Sequence, residues 1–261
     1  MLKKIMNEIV TKARKDKITF CIYMIVRLFI VFTIVTSFIR KEYENIFVCV
    51  LSLVLLMIPG FISDKFSIEL PSVLEVIIIL FIFCSEILGE INCYYIKFQY
   101  WDTMLHTING FICAAIGFSL VEVLNRKKKD KFNLSPLFLS MVAFCFSMTI
   151  GILWEFFEFG CDYTLHTDMQ KDTIVHSISS VTLDETNKNV PVHIDNIKEV
   201  TVNGEKLNID GYLDIGLYDT MKDLFVNFIG ALVFSVIGYF YVKKRGKGNF
   251  AKQFIPKVKK D

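Results

Sequence analysis

Asp219, Asp223 and Asn227 recur every four residues in the stretch DTMKDLFVN, so a helix there stacks three polar side chains on one face. Asp102 and His106 repeat that spacing in WDTMLH, Glu155 and Glu158 stand three apart in WEFFE beside Trp154, and Glu86 and Glu90 stand four apart. Acids that face a helix-bundle interior near hydrocarbon are costly unless protonated, paired or coordinated. Nearby bases are limited mainly to Lys97 and Lys222, and a bound cation resolves much of that imbalance. Oxygen ligands with one imidazole suit magnesium, manganese or zinc better than copper, and the acids are too dispersed for a calcium loop. Such a cation polarises a phosphoryl or ester oxygen and activates water, the chemistry of hydrolysis or group transfer. In this reading His106, Glu155, Glu158, Asp219 and Asp223 are ligands and proton carriers, and Asp102, Trp154, Asn227, Glu86 and Glu90 bind or orient substrate.

The elements that must bring these residues together are membrane spans. Of the 261 residues 53% are hydrophobic, 25 are Phe, and the mean hydropathy is positive, which places the chain in the membrane class. Charged residues make up 21% but gather in the N-terminal arm, one internal linker, the region 161–223 and the tail. The formal net charge of +2 therefore says little about partners, and the basic runs read as membrane-flanking segments with no nucleic-acid role. No short apolar core with a small-residue cleavage site precedes Arg40, so the first apolar run is expected to be retained. Of the seven cysteines, Cys21, Cys49, Cys84, Cys113 and Cys145 lie in apolar runs and read as small hydrophobes, while Cys93 and Cys161 fall near helix ends where a pairing is open.

Six spans are expected, at about 18–39, 46–62, 71–91, 104–124, 137–159 and 221–242, each near the length that crosses roughly 30 Å of hydrocarbon. Arg27 interrupts the first and is read as snorkelling or facing another helix. Gly110, Gly117, Gly230, Ala231 and Gly238 allow close helix approach. The segment INCYYIKFQYW suits a membrane interface. Between the fifth and sixth spans, short alternating runs and the dipeptide Asn203-Gly204 predict a small β-rich insert with EVTV and EKLNI as a hairpin. His166, His176 and His193 lie in that insert and read as solvated residues. The fold class is thus an all-α polytopic six-helix bundle with a small β-rich extracytoplasmic insert. Its parts are a basic cytosolic arm (1–17), five transmembrane helices (18–160), the insert (161–218), the sixth helix (219–243) and a basic cytosolic tail (244–261).

With six spans, the arm, the linker from Arg126 to Lys131 and the tail emerge on one side, which the positive-inside rule makes cytosolic. The four acidic patches then reach a similar depth at the outer ends of spans three to six. A metal-assisted site there would act on a lipid-linked or amphiphilic substrate entering from the outer leaflet. Two other readings stand beside it: a small-solute or ion transporter, and a non-catalytic polar cluster that joins helices. An internal inverted repeat that would favour transport is not evident.

The pieces YWDTMLHTING, WEFFEFGCD and GYLDIGLYDTMKDLFVNFIGAL resemble the YjdF-like family of uncharacterised bacterial integral membrane proteins. The resemblance is carried by Glu86 to Gly110, Gly151 to Asp162 and Gly211 to Gly230. It implies importance for Asp102, His106, Trp154, Glu155, Glu158, Asp219, Asp223 and Asn227, and a place in a bacterial cytoplasmic membrane. A more distant similarity to VanZ-like membrane proteins, which share the Asp/His helix start, acidic middle helix and final Asp/Asn helix, implies an envelope-response connection. The insert around 175–210 departs from a minimal version of either pattern.

Overall fold

The structure is a computed structural model that describes residues 16–65, 68–127, 134–244, 252–254 and 257–258. Most of the basic arm and linker, and residues 245–251, 255–256 and 259–261 of the tail, lie outside the described residues. Helix α1 spans Lys17–Arg40, α2 Tyr43–Leu55, α3 Ile58–Lys65, and α4 Ser72–Ile82, which continues as a π-helix over Phe83–Ile91. A short α5 (Tyr94–Lys97) precedes the long α6 (Trp101–Lys127), α7 (Pro136–Leu165) and α8 (Leu217–Lys243). Six helical stretches are long and apolar enough to cross a membrane: α1, α2 with α3, α4 with its π extension, α6 over Trp101–Val121, α7 and α8. The chain is a multi-pass membrane protein with a set of small antiparallel strands between α7 and α8.

Every expected span is present, with different ends. Pro59 lacks the amide that would bond to Leu55, so the second span breaks after Leu55 and restarts at Ile58. The fourth and sixth spans begin earlier than expected, which puts Asp102 and Asp219 in the first helical turn. Negative charge is favourable there, beside the unsatisfied amides of a helix start. Helix α7 runs on to Leu165, beyond the expected end at Phe159, and stops where His166 takes a left-handed φ of 56°. Loss of apolarity marks where a helix leaves hydrocarbon; the cap decides where it ends. The segment between α7 and α8 is therefore 166–216, where 161–218 was expected for the insert.

Two compact units are formed, residues 1–151 with 225–261, and residues 152–224. Their boundaries fall inside the continuous helices α7 and α8. In the first unit one core cluster gathers Leu74, Ile112, Phe118, Ala143, Ala231 and Phe234. A second cluster holds Val26, Ile30, Cys49, Ile79, Ile82 and Ile87. The Phe234 ring stands edge-on to Phe111 at 5.1 Å and to Phe118 at 6.1 Å. Side chains such as Leu28, Phe32 and Phe38 are exposed on α1, as expected for faces turned to lipid. Arg27 lays its guanidinium 4.5 Å from the centroid of the Tyr23 ring one turn back, which shields the charge within its own helix.

Close approach in this unit rests on glycine. A Cβ placed on Gly110 would lie 2.1 Å from the Asn227 carbonyl oxygen, and one on Gly230 would lie 2.0 Å from that of Thr107. The backbones of α6 and α8 therefore touch at two points, and Ser147 of α7 donates its hydroxyl to the Gly110 carbonyl at 2.7 Å. The tail does more than flank the membrane. Phe254 is buried with its ring 5.2 Å from Phe111, and Lys257–Val258 (β8) pairs antiparallel with Ile68–Glu69 (β1). All seven cysteines, Cys93 and Cys161 included, are free thiols.

The second unit carries the insert as three antiparallel pairs. Ile174–Val175 (β2) pairs with Tyr212–Leu213 (β7), Ile178–Ser180 (β3) with Val192–Ile194 (β4), and Thr201–Val202 (β5) with Glu205–Lys206 (β6). The last pair is the expected hairpin: Asn203 and Gly204 have φ of 53° and 87°, the two positive values that a type I′ turn demands. In the loop between β3 and β4, Asp184 accepts the amides of Thr186, Lys188 and Val190 at 2.9, 2.9 and 3.0 Å. Its bond from the Thr186 hydroxyl and then those amides hold its carboxyl down at about 2. A lowered folded-state value contributes stability above the ordinary 3.8 that is lost as pH falls through about 2. Amide exchange should accordingly show Lys188 and Val190 protected throughout the neutral and mildly acidic range, with protection lost near that lower value and absent at every pH in Asp184→Ala.

Candidate functional site

Helix α6 positions Asp102 and His106 one turn apart, with His106 Nε2 3.4 Å from Asp102 Oδ1. Helix α8 carries Asp219, Asp223 and Asn227 on successive turns; Asp223 and Asn227 are fully buried, whereas Asp219 is nearer the helix start. Lys222 places Nζ 3.5 Å from Asp219 Oδ1 and 3.7 Å from Asp223 Oδ1. The Lys222 side chain is 44% exposed, whereas that of Asp223 is buried.

Asn227 is set by α6 and α7. Asn109 Nδ2 donates to Asn227 Oδ1 at 3.3 Å, Asn227 Nδ2 donates to Met148 Sδ at 3.6 Å, and Cys113 Sγ donates to Asn109 Oδ1 at 3.5 Å. A Cβ on Gly151 would stand 2.8 Å from Asn227 Nδ2, so that glycine makes room for the amide. Asn109 was missed in the sequence, although its place three residues after His106 puts it on the same helix face. Nothing in the pattern marks Met148.

Elsewhere on α7, Glu155 and Glu158 are buried, and Trp154 donates Nε1–H to Glu158 Oε1 at 2.8 Å along its own helix. The chain after α7 is fastened by carboxylates. Asp162 accepts the Thr167 hydroxyl at 2.8 Å and the amides of Met169 and Gln170 at 2.7 and 2.9 Å, and Asp219 Oδ2 accepts the Lys171 amide at 2.9 Å. Gln170 Nε2 donates to Thr220 Oγ1. Burial first, then Asp168, Asp214 and Asp162, raise the carboxyl of Asp172 above the ordinary aspartate range. On the π-helix Glu86 is buried, and Glu90 is half-buried one turn on.

Among the described residues one group has the make-up and spacing to hold a metal ion: Asp102, His106 and Asp223, with one ligand atom of each within 4.8 Å of the others. Two carboxylates and one imidazole suit zinc or manganese, and three protein donors leave coordination positions for water or substrate. Asp102, expected only to orient, belongs to this donor set. Glu155, Glu158 and Asp219 are outside the group.

A family model described as a predicted membrane protein, DUF2238, matches residues 21–244. No curated protein and no solved structure matches the chain.

Proposed function

The chain belongs to the DUF2238 family of predicted membrane proteins, and from the chemistry of its own residues we propose that it is a membrane-embedded, metal-assisted hydrolase or group transferase. The observation that carries this reading is the convergence of Asp102, His106 and Asp223 in a chain that crosses the membrane six times. Asp102 and Asp223 would supply anionic oxygens and His106 a neutral nitrogen to a zinc, manganese or magnesium ion, which would there supply polarisation of a phosphoryl or ester oxygen and a lowered pKa of bound water. Lys222 lies between Asp219 and Asp223 along α8 and reaches both, so it balances their charge when no metal is held, and Asp219 carries protons toward solvent. Glu155 and Glu158 are further proton carriers, and Trp154, Asn227, Glu86 and Glu90 orient substrate.

The substrate class is lipid-linked or amphiphilic, because every span bearing these residues borders lipid. In this reading both termini are cytosolic, the insert is extracytoplasmic and the membrane is a bacterial cytoplasmic one, following the basic segments and the YjdF-like pattern. The VanZ-like similarity agrees with an envelope role.

Turnover by purified protein in lipid nanodiscs tests the proposal, with short-chain phosphodiester, phosphomonoester and carboxylic ester amphiphiles as probes. Product release that is abolished by a chelator, restored by zinc or manganese and absent in His106→Ala is the expected result. Release unaffected by metal removal, or equal in the variant, would overturn it, as would no release from any probe by metal-loaded protein.

A further inference from the structure

We propose that Glu86 is a reversible proton-binding site inside the membrane span, built by the π-helical turn that carries it. Glu86 is 3% exposed and lies five residues from the end of the Ser72–Ile91 span. An ionisable group at such a depth is rare without a function, and π-helical turns in α-helices concentrate at functional sites. The hydrogen bonds around it suit both the charged and the neutral carboxyl. Ser85 Oγ lies 3.2 Å from the Ile82 carbonyl oxygen and 3.3 Å from Glu86 Oε1. A serine hydroxyl has one hydrogen and two lone pairs. The hydroxyl donates to Glu86 Oε1, sharing its hydrogen with the Ile82 carbonyl, while the carboxyl is ionised. When Glu86 takes up a proton, the carboxyl can donate to Ser85 Oγ and leave the hydroxyl hydrogen to Ile82 alone. Ser85 thus offers a partner to either state.

The surroundings fix the turn. Trp101, the first residue of α6, donates its indole N–H to the Cys84 carbonyl at 3.2 Å. Gly89 gives room to the Tyr95 ring, which would stand 2.3 Å from a Cβ there. The π-helix packs against α2, α4, α5 and α6. The titratable groups on these elements include Glu44, Cys49, Glu75, Tyr94, Tyr95, Lys97, Asp102 and His106, and Glu90 of the same turn bears on Glu86 electrostatically. The ligand is therefore a proton and not a metal cation, since one carboxylate beside one hydroxyl is too small a donor set for a divalent ion. The inference adds proton binding to the substrate-orienting part proposed above for Glu86 and does not depend on the metal donors, which do not include it.

Apolar carbodiimide labelling tests it on the full chain in lipid nanodiscs. The O–H of a protonated carboxyl adds across one C=N bond of N,N′-dicyclohexylcarbodiimide, and an oxygen-to-nitrogen acyl shift leaves an N-acylurea heavier by the whole reagent, with no leaving group. Peptide mass spectrometry should find the adduct on Glu86, decreasing by roughly tenfold or more from mildly acidic to alkaline pH. Glu86→Asp, which keeps a carboxyl, should retain labelling, and Glu86→Gln should lose it with the thermal midpoint unchanged. An unlabelled Glu86 in folded protein, labelling that does not vary with pH, or an adduct confined to Glu90 would overturn the proposal.

Discussion

Protein purified from metal-replete medium is expected to carry about one divalent cation per chain, and Asp223→Asn less than about a tenth of that. Loss of a partner that merely orients a ligand already costs about 10–100-fold in metal affinity, so removal of a ligand itself costs at least as much. Asp223 is the informative position because it is 1% exposed: the substitution keeps the size and hydrogen-bonding ability of the side chain while deleting the charge. His106→Gln should show the same loss. Lys222→Ala should do the opposite and raise occupancy at limiting metal, since its ammonium competes for the Asp223 oxygen 3.7 Å away. Elemental analysis of matched, detergent-purified samples reads all three. Equal, empty samples of wild type and Asp223→Asn would remove the metal from the reading and leave the polar cluster as a helix-joining device.

The second large effect concerns packing. Gly230→Ala and Gly110→Ala each place a methyl 2.0 to 2.1 Å from a backbone carbonyl oxygen of the facing helix, which cannot rotate away as a side chain can. Overpacking of this kind costs about 1–3 kcal/mol and occasionally more. The gain in helix propensity on replacing glycine returns at most about 1 kcal/mol. The clash should win, and the thermal midpoint in detergent should fall by several degrees, roughly 2–4 °C per kcal/mol for a chain of this size. Gly160→Ala supplies the contrast: nothing lies within 4 Å of its Cβ position, so the same substitution in α7 should leave the midpoint unchanged or raise it. A midpoint for Gly230→Ala equal to wild type would contradict the close backbone approach.

The six spans were legible because long apolar runs have few other uses, and the turn at Asn203-Gly204 because two consecutive positive φ values admit few residue types. The acids were legible as candidates because helical spacing groups them by face. Their division of labour was not. Asp102 was expected to orient, and its place in the first turn of α6 brings one of its oxygens within 4.8 Å of donor atoms of His106 and Asp223. The partners of Asn227 were hidden for a different reason: Asn109 and Met148 come from two other helices, and tertiary packing leaves no local trace in either stretch. The π-helix was equally invisible, since FCSEILGEI reads as an ordinary amphipathic segment and a one-residue widening of the hydrogen-bond ladder has no composition. Helix ends were missed where polarity was mistaken for termination, as at Leu165.

Phe254, lodged against Phe111, and β8, paired with β1, have a consequence for how the molecule comes into being. The middle of α6 cannot reach its final environment while the residues that follow α8 are still inside the ribosome. Insertion of the spans and sealing of the bundle are therefore separate events, the second necessarily after translation of the tail. A chain cut short before Phe254 would thread the bilayer and yet leave an aromatic-lined gap open beside Phe111.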